Sequence, residues 1–359
     1  TSGERNIALG QEAGTAISSG RFNTLIGDHS GELLTTQDVN TAVGSKAGRN
    51  GTGTRNVFLG ADAGVGVNGS SSGGSNIFIG NEAGKVYTTA ANSTIVGTRA
   101  GQSLTTGNNN SFVGNNAGRY TTTGTTNTAL GASSLQANTT ASRNTAIGYE
   151  ALTANTTGTE NTATGYNALG ANTTGDYNTA TGISALGANT TGANNVASGN
   201  GALRFNTTGT KNTATGFEAL RANTTGVQSA ALGYQSLYSN TTGSWNTGVG
   251  YQALYDNTTG GDNTAIGYFA LTNNTTAGSN TAVGMGALND NTTGPDNVAV
   301  GASALLKNTT GSAGIAVGKS ALQVNTTGAN NNAIGYLAMR FNTTGGSNVA
   351  VGRQALYEN

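Results

Sequence analysis

NTAIGYEALTANTTGTE, residues Asn144–Glu160, is followed at once by NTATGYNALGANTTGDY and then by NTATGISALGANTTGAN. The stretch is a unit of 17 residues, and the whole chain is written in it. Take as marker the Gly that closes NTAIG. It falls at Gly10, Gly27, Gly44, Gly60 and Gly80, then every 17 residues to Gly352, in 21 copies. Only two spacings differ, 16 residues before Gly60 and 20 before Gly80. The longer one contains GVNGSSSGGS, which reads as a flexible loop near residues 65–75.

Each phase of the unit obeys its own rule. Four residues before the marker, 18 of 21 copies carry Asn, with Ser93, Ser229 and Gly314 as exceptions. In the later copies this row is Asn127, Asn144, Asn161, Asn178, Asn195, Asn212, Asn246, Asn263, Asn280 and Asn297. One residue before the marker, 17 copies have Leu, Ile or Val. Three residues after it every copy has Ala or Ser, from Ala13, Ser30 and Ala47 to Ala355, which predicts a crowded, inward-facing position. In the first seven copies the small residue is followed by Gly, as in GQEAG, GDHSG and GNEAG; from Gly131 onward it is followed by Leu, with Met339 the single substitute. The second block also repeats NTT, at Asn138, Asn155, Asn172, Asn189, Asn206, Asn223, Asn240, Asn257, Asn274, Asn291, Asn308, Asn325 and Asn342. The seam near residue 125 divides one architecture into two segments, 1–125 with the loop insertion and 126–359 with the AL/NTTG coils.

A unit this short cannot hold two packed helices, because helical repeats need roughly 33 residues or more. Gly and Asn break helices, and Thr is stiff at χ1. NTAIGY alternates sides as an extended strand does, and ALxxNTTG predicts a second short strand and a turn. Two strands and two corners make one coil of a parallel β-solenoid, all-β, whose backbone groups pair with the coils above and below. Equal coil length stacks Asn on Asn, aliphatic on aliphatic and Ala on Ala, and stacked Asn amides can exchange hydrogen bonds. At a strand spacing of about 4.8 Å, the copies predict a rod on the order of 100 Å long.

Composition narrows function. Gly supplies 58 residues, charged residues 9% and apolar residues 35%, so the chain cannot build a deep globular core, while the strict register argues against disorder. The 16 Lys and Arg balance 16 Asp and Glu and are scattered, which supports neither nucleic acid nor anionic lipid as partner. There is no Cys, hence no disulfide and no thiolate metal site, and no apolar run of membrane-spanning length. The start TSGERNIALG and the stop GRQALYEN leave both end coils uncapped, which suggests a piece of a longer chain or subunits joined end to end.

The NTAIGxxA core resembles the head repeats of trimeric autotransporter adhesins, the YadA-like heads, and similar NTxxGxxAGxxxTTG arrays of bacterial surface proteins and phage tail fibres. The resemblance implies a left-handed parallel β-roll, three chains side by side, on a cell surface or virion fibre. The unit here is longer than that family's by the NTTG arm, and the chain carries no coiled-coil stalk and no membrane-anchor strands.

Chemistry is sparse. His29, in GDHSG, is the sole His, reads as a surface residue and has no nucleophile elbow around it. Asp is out of phase for calcium rows, and GxxAG lacks the Lys-Ser/Thr ending of a phosphate loop. No catalytic residue, metal or cofactor is expected. Each NTT is formally an N-glycosylation acceptor, but a hydrogen-bonded ladder of Asn and Thr explains its phase without sugar. A Thr row also admits ice binding. Four consecutive copies replace the aliphatic before the marker by Thr164, Thr181, Ser198 and Thr215. Facing a dry core, these hydroxyls weaken the segment; facing a subunit axis, they line a wet channel. Aromatics follow the marker at Tyr149, Tyr166, Phe217, Tyr234, Tyr251, Tyr268 and Tyr336, a ladder or a contact surface for sugars or a neighbouring chain. The reading is a non-enzymatic, extracellular or cell-surface fibre subunit that assembles with other copies of itself and meets a host-surface or glycan receptor. The alternatives are an ice-binding or carbohydrate-binding solenoid, or a phage tail-fibre segment.

Overall fold

The computed structural model describes residues 3–358. Its two compact units, Thr1–Asn178 and Thr179–Asn359, are each a parallel β-solenoid. Residues 1, 2 and 359, which the two sequence segments include, lie outside the described residues. Among the described residues the first unit has ten strands of three residues, from Ile7–Leu9 to Thr162–Thr164, and the second has eleven, from Thr179–Thr181 to Val349–Val351. Within each unit neighbouring strands are parallel and in register, as in Thr145 on Thr128, Ala146 on Ala129 and Ile147 on Leu130. The second unit repeats this with Thr264 on Thr281 and Ala265 on Ala282. Among the described residues no helix is long and apolar enough to cross a membrane.

Two residue types bound each strand, for separate reasons. Before it stands Asn. The backbone N–H of Asn144 donates to Asn127 Oδ1 at 2.9 Å, and Asn144 Nδ2 donates to Gly158 O at 2.9 Å. Asn144 Oδ1 in turn accepts from Asn161 N at 2.9 Å, so one buried Asn links three coils and satisfies backbone groups the short strand leaves over. After the strand stands the marker Gly. Gly148 has φ +129°, and a Cβ there would lie 2.5 Å from Gly165 O of the next coil, so only Gly fits.

The expected second strand is absent. That leg is a run of turns, because each late coil places three residues in the left-handed region, all non-Gly except Gly201 and Gly286; in one coil they are Arg143 at φ +60°, Glu150 at +56° and Leu152 at +51°. Left-handed L-residues cost on the order of 1 kcal/mol each. Coil-to-coil hydrogen bonds offset this: Leu152 N donates to Ala168 O at 3.0 Å, Ala154 N to Gly170 O at 3.1 Å and Thr156 N to Thr173 O at 3.0 Å. The leg stacks like a strand without being extended.

The middle residue of each strand points inward and its two flanks point outward. Ala146 and Ala163 are fully buried, as are the small residues after the marker in every coil but the first and last, for instance Ala151 and Ala168. The core then takes two forms. In the early coils bulky residues fill it from the strand, namely Phe58, Phe78, Ile95 and Phe112, and from the opposite leg, namely Leu34, Tyr87 and Leu104. From Ala129 the strand centre is Ala, except at Gly248, Leu135 and Leu152 fill the core from the turn, and Asn138 and Asn155 replace the apolar residues opposite. The insertion is smaller than its sequence suggests. Only Val67–Ser70 project, while Ser71 is buried, with its Oγ accepting from Val67 N at 2.6 Å and donating to Tyr87 O at 2.9 Å.

Candidate functional site

With the core so thin, function has to be sought on the ladders that stacking creates outside. The sheet face presents two residues per strand. The aliphatic row before the marker lies on it: Leu130, Ile147, Leu232, Ile266 and Ile334 are exposed, Leu232 to 52%. Thr164, Thr181, Ser198 and Thr215 occupy the same outward position, so their hydroxyls meet solvent and no buried polar penalty arises. The dry-core reading of these four residues is thereby corrected. Neither outward position of any strand carries a charged residue.

Next to this row runs the aromatic one. Tyr149 and Tyr166 stack at 5.7 Å in the first unit. In the second, Phe217, Tyr234, Tyr251 and Tyr268 stack at 5.3, 5.1 and 5.3 Å, with interplanar angles of 11°, 6° and 19°. All six rings are exposed. Tyr336 stands outside these stacks and receives the Arg353 guanidinium over its ring at 5.8 Å.

The Asn rows are interior. The row before the strands is buried wherever a coil covers it, from Asn127 and Asn144 to Asn297, and its amides bridge backbone rather than one another. The amide-to-amide ladder belongs to the NTT row: Asn172 Nδ2 donates to Asn155 Oδ1 at 2.9 Å and to Gly175 O at 3.0 Å, and Asn223 Nδ2 donates to Asn206 Oδ1 at 2.8 Å. Asn138 to Asn342 are all buried, and a glycan on those nitrogens has no place in the closed fold. The first Thr of NTT spends its hydroxyl on the next coil, as Thr139 Oγ1 does on Thr156 O at 3.1 Å and Thr326 Oγ1 on Thr343 O at 3.0 Å; the second, such as Thr140, is exposed.

His29 is less isolated than the sequence suggests. Its Nδ1 lies 2.8 Å from Glu32 Oε2 and 3.0 Å from Glu12 Oε2, and Arg49 Nε sits 2.7 Å from the same Glu32 oxygen. Imidazole and two carboxylates with donor atoms within 4.8 Å could hold a divalent cation. Here the Arg49 guanidinium already occupies Glu32, and its hydrogen bond holds the Glu32 carboxyl below its ordinary value. A similar knot joins Glu82 to Lys85 at 2.8 Å and Arg99 at 3.0 Å, lowering the Glu82 carboxyl in the same way. Both are ion-pair ladders on half-exposed surface, worth little individually.

Sequence reasoning missed two further ladders in the second unit. Gln235 Nε2 donates to Glu218 Oε2 at 2.9 Å and Gln252 Nε2 to Gln235 Oε1 at 3.0 Å. Beside them Tyr238 stacks on Tyr255 at 5.0 Å, and Arg221 Nη1 donates to the Tyr238 hydroxyl at 2.9 Å. The signal was the period itself, which puts residues 17 apart on top of each other, but these phases vary too much along the chain to stand out.

Compared with known proteins, the chain matches no family model, and no curated protein is significantly similar to it.

Proposed function

We propose that the chain is a non-enzymatic structural and adhesive element: a β-solenoid scaffold of an extracellular fibre or cell-surface filament that assembles with other copies of itself. The observation that carries this reading is the sheet face, where exposed aliphatics recur in the coils on both sides of Thr164, Thr181, Ser198 and Thr215, with no charge at either outward position. Exposed apolar rows of this extent mark interaction surfaces. A partner with the same 17-residue rise can match them along their length, and a second copy has it. An uncharged face also lets identical surfaces meet without like-charge repulsion. The resemblance to YadA-like heads supports three chains side by side.

The test is molar mass by light scattering coupled to size exclusion. The reading predicts an oligomer that Val249→Lys with Ile266→Lys converts to monomer while the circular dichroism of the fold persists. A wild-type chain that stays monomeric at high concentration contradicts it. Ice binding is the second reading, favoured by one observation: in the second unit Thr179 and Thr181, then Thr213 and Thr215, point outward in pairs from the sheet. Thermal hysteresis above that of a globular control supports it, and its absence removes it.

A further inference from the structure

One region of the second unit departs from the rest of the surface. Between Phe217 and Phe269, three ladders run side by side. The outermost is the exposed stack ending in Tyr251 and Tyr268, whose hydroxyls make no hydrogen bond to the protein. The middle one is the half-exposed Glu218–Gln235–Gln252 chain, closed by Phe269, which meets Tyr251 edge-on at 5.5 Å. The third is Tyr238 on Tyr255, continued by Arg221, whose Cζ lies 5.3 Å over the Tyr238 ring and whose Nε is 3.2 Å from Glu218 Oε1. Among the described residues no other stretch combines two aromatic ladders with an amide ladder between them; the Tyr149–Tyr166 pair has Glu150 and Asn167 beside it and no aromatic row beyond.

We propose that this strip binds an extended, neutral, β-1,4-linked glycan lying along the stack, one sugar per coil. The inference rests on the adhesive part of the function proposed above and names its ligand class. Three features carry it. First, successive ring centroids along the row lie 5.1 to 5.3 Å apart, close to the rise per sugar of an extended β-1,4-linked chain that follows the row. A helical α-1,4-linked chain has no such match. Second, the chemistry alternates as a pyranose does: ring edges supply apolar van der Waals contact to the sugar, while phenol hydroxyls and Gln amides meet ring hydroxyls. The inner rings cover one another's faces, so recognition is led by hydrogen bonds along the edges rather than by one sugar stacked on one ring. Third, Glu218 and Arg221 neutralise each other, which favours a neutral polysaccharide over an anionic one. Stacked rings and chained amides are already immobilised, so little side-chain entropy is lost on binding.

The experiment is calorimetric titration of the full chain with cellohexaose, chitohexaose and maltohexaose, followed by shorter oligomers of whichever binds. The proposal predicts binding of a β-1,4 hexamer, none of maltohexaose, and affinity that rises with length through about four sugars, the span of the aromatic run. Tyr251→Ala and Gln235→Ala each weaken it by about tenfold, and Tyr149→Ala leaves it unchanged. Tyr251→Phe keeps the ladder and removes one hydroxyl, so a loss there cannot be blamed on misfolding. No heat with either β-1,4 hexamer, or heat indifferent to these variants, overturns the proposal. A changed molar mass for Tyr251→Ala without glycan binding also overturns it and assigns the strip to self-assembly. The Val249→Lys, Ile266→Lys chain, which tests assembly, keeps its glycan affinity per copy if the strip reading is right, so the two proposals fail separately.

Discussion

The coils around Phe78 and the coils around Ala146, both in the first unit, share one backbone and have opposite interiors. In the first, Phe78 fills the core from the strand and Gly84 stands in the left-handed turn; a Cβ on Gly84 would lie 2.5 Å from the Phe78 ring. In the second, Ala146 leaves that volume empty and Leu152 fills it from the turn, at φ +51° against +55° for Gly84. The opposite leg changes too, from Tyr87 and Leu104 to Asn138 and Asn155. The outer frame does not change: Asn before the strand, Gly after it, and hydrogen bonds from coil to coil. The lesson is that the frame sets the coil, and the interior has only to add up to the right volume.

Breaking the shared frame should have the largest effect, and the same effect in both regions. Gly148→Ala and Gly60→Ala each force a Cβ onto the next coil's marker Gly, at 2.5 and 2.8 Å, with φ +129° at both. Each should cost at least about 3 kcal/mol in urea unfolding. A loss in only one region would show that the frames differ.

Exchanging the interiors sharpens the comparison. Gly84→Leu alone collides with Phe78, and Phe78→Ala alone leaves a cavity; each should cost about 3 kcal/mol. Together they recreate the late-coil interior, so the double variant should recover at least half of the summed loss, read from a double-mutant cycle. Simple additivity would refute volume exchange.

The smallest expected effect is a gain. The Tyr87 hydroxyl is buried in the early core without a hydrogen-bond partner, in space that Gly51 leaves open, where an added Cβ would lie 2.8 Å from it. Tyr87→Phe should stabilise by about 1 kcal/mol. Burial also pushes the phenol above its ordinary value of 10.0. The neutral phenol's contribution is therefore intact below that value and lost as pH rises above it. Wild type should lose stability above about pH 10 more steeply than Tyr87→Phe, measured by denaturation at stepped pH.

Much of this was legible in the residues. Equal spacing of the marker Gly gave the register, the Ala/Ser-only position gave the inward face, and the switch from AG to AL near residue 125 coincides with the exchange of interiors. The second strand misled because Leu152 has no intrinsic preference for the left-handed region; stacking imposes it. The aliphatic row could not be oriented because inward Ala beside outward Ile inverts the usual rule that the larger apolar residue is the buried one. Contacts such as Glu12 with His29 were hidden in phases where no residue type repeats.

The central claim is that like residues lie over one another, one coil apart. The chain has no Cys, so two introduced thiols report on register alone. Thr264 and Thr281 are paired on neighbouring strands, whereas Val298 is one strand further on. Adjacent strands at about 4.8 Å fall inside the window for a disulfide, and strands two apart do not. Mild oxidation should close Thr264→Cys/Thr281→Cys within one chain and leave Thr264→Cys/Val298→Cys open. Equal closure of both pairs, or closure of the second alone, would contradict the stacking on which the account stands.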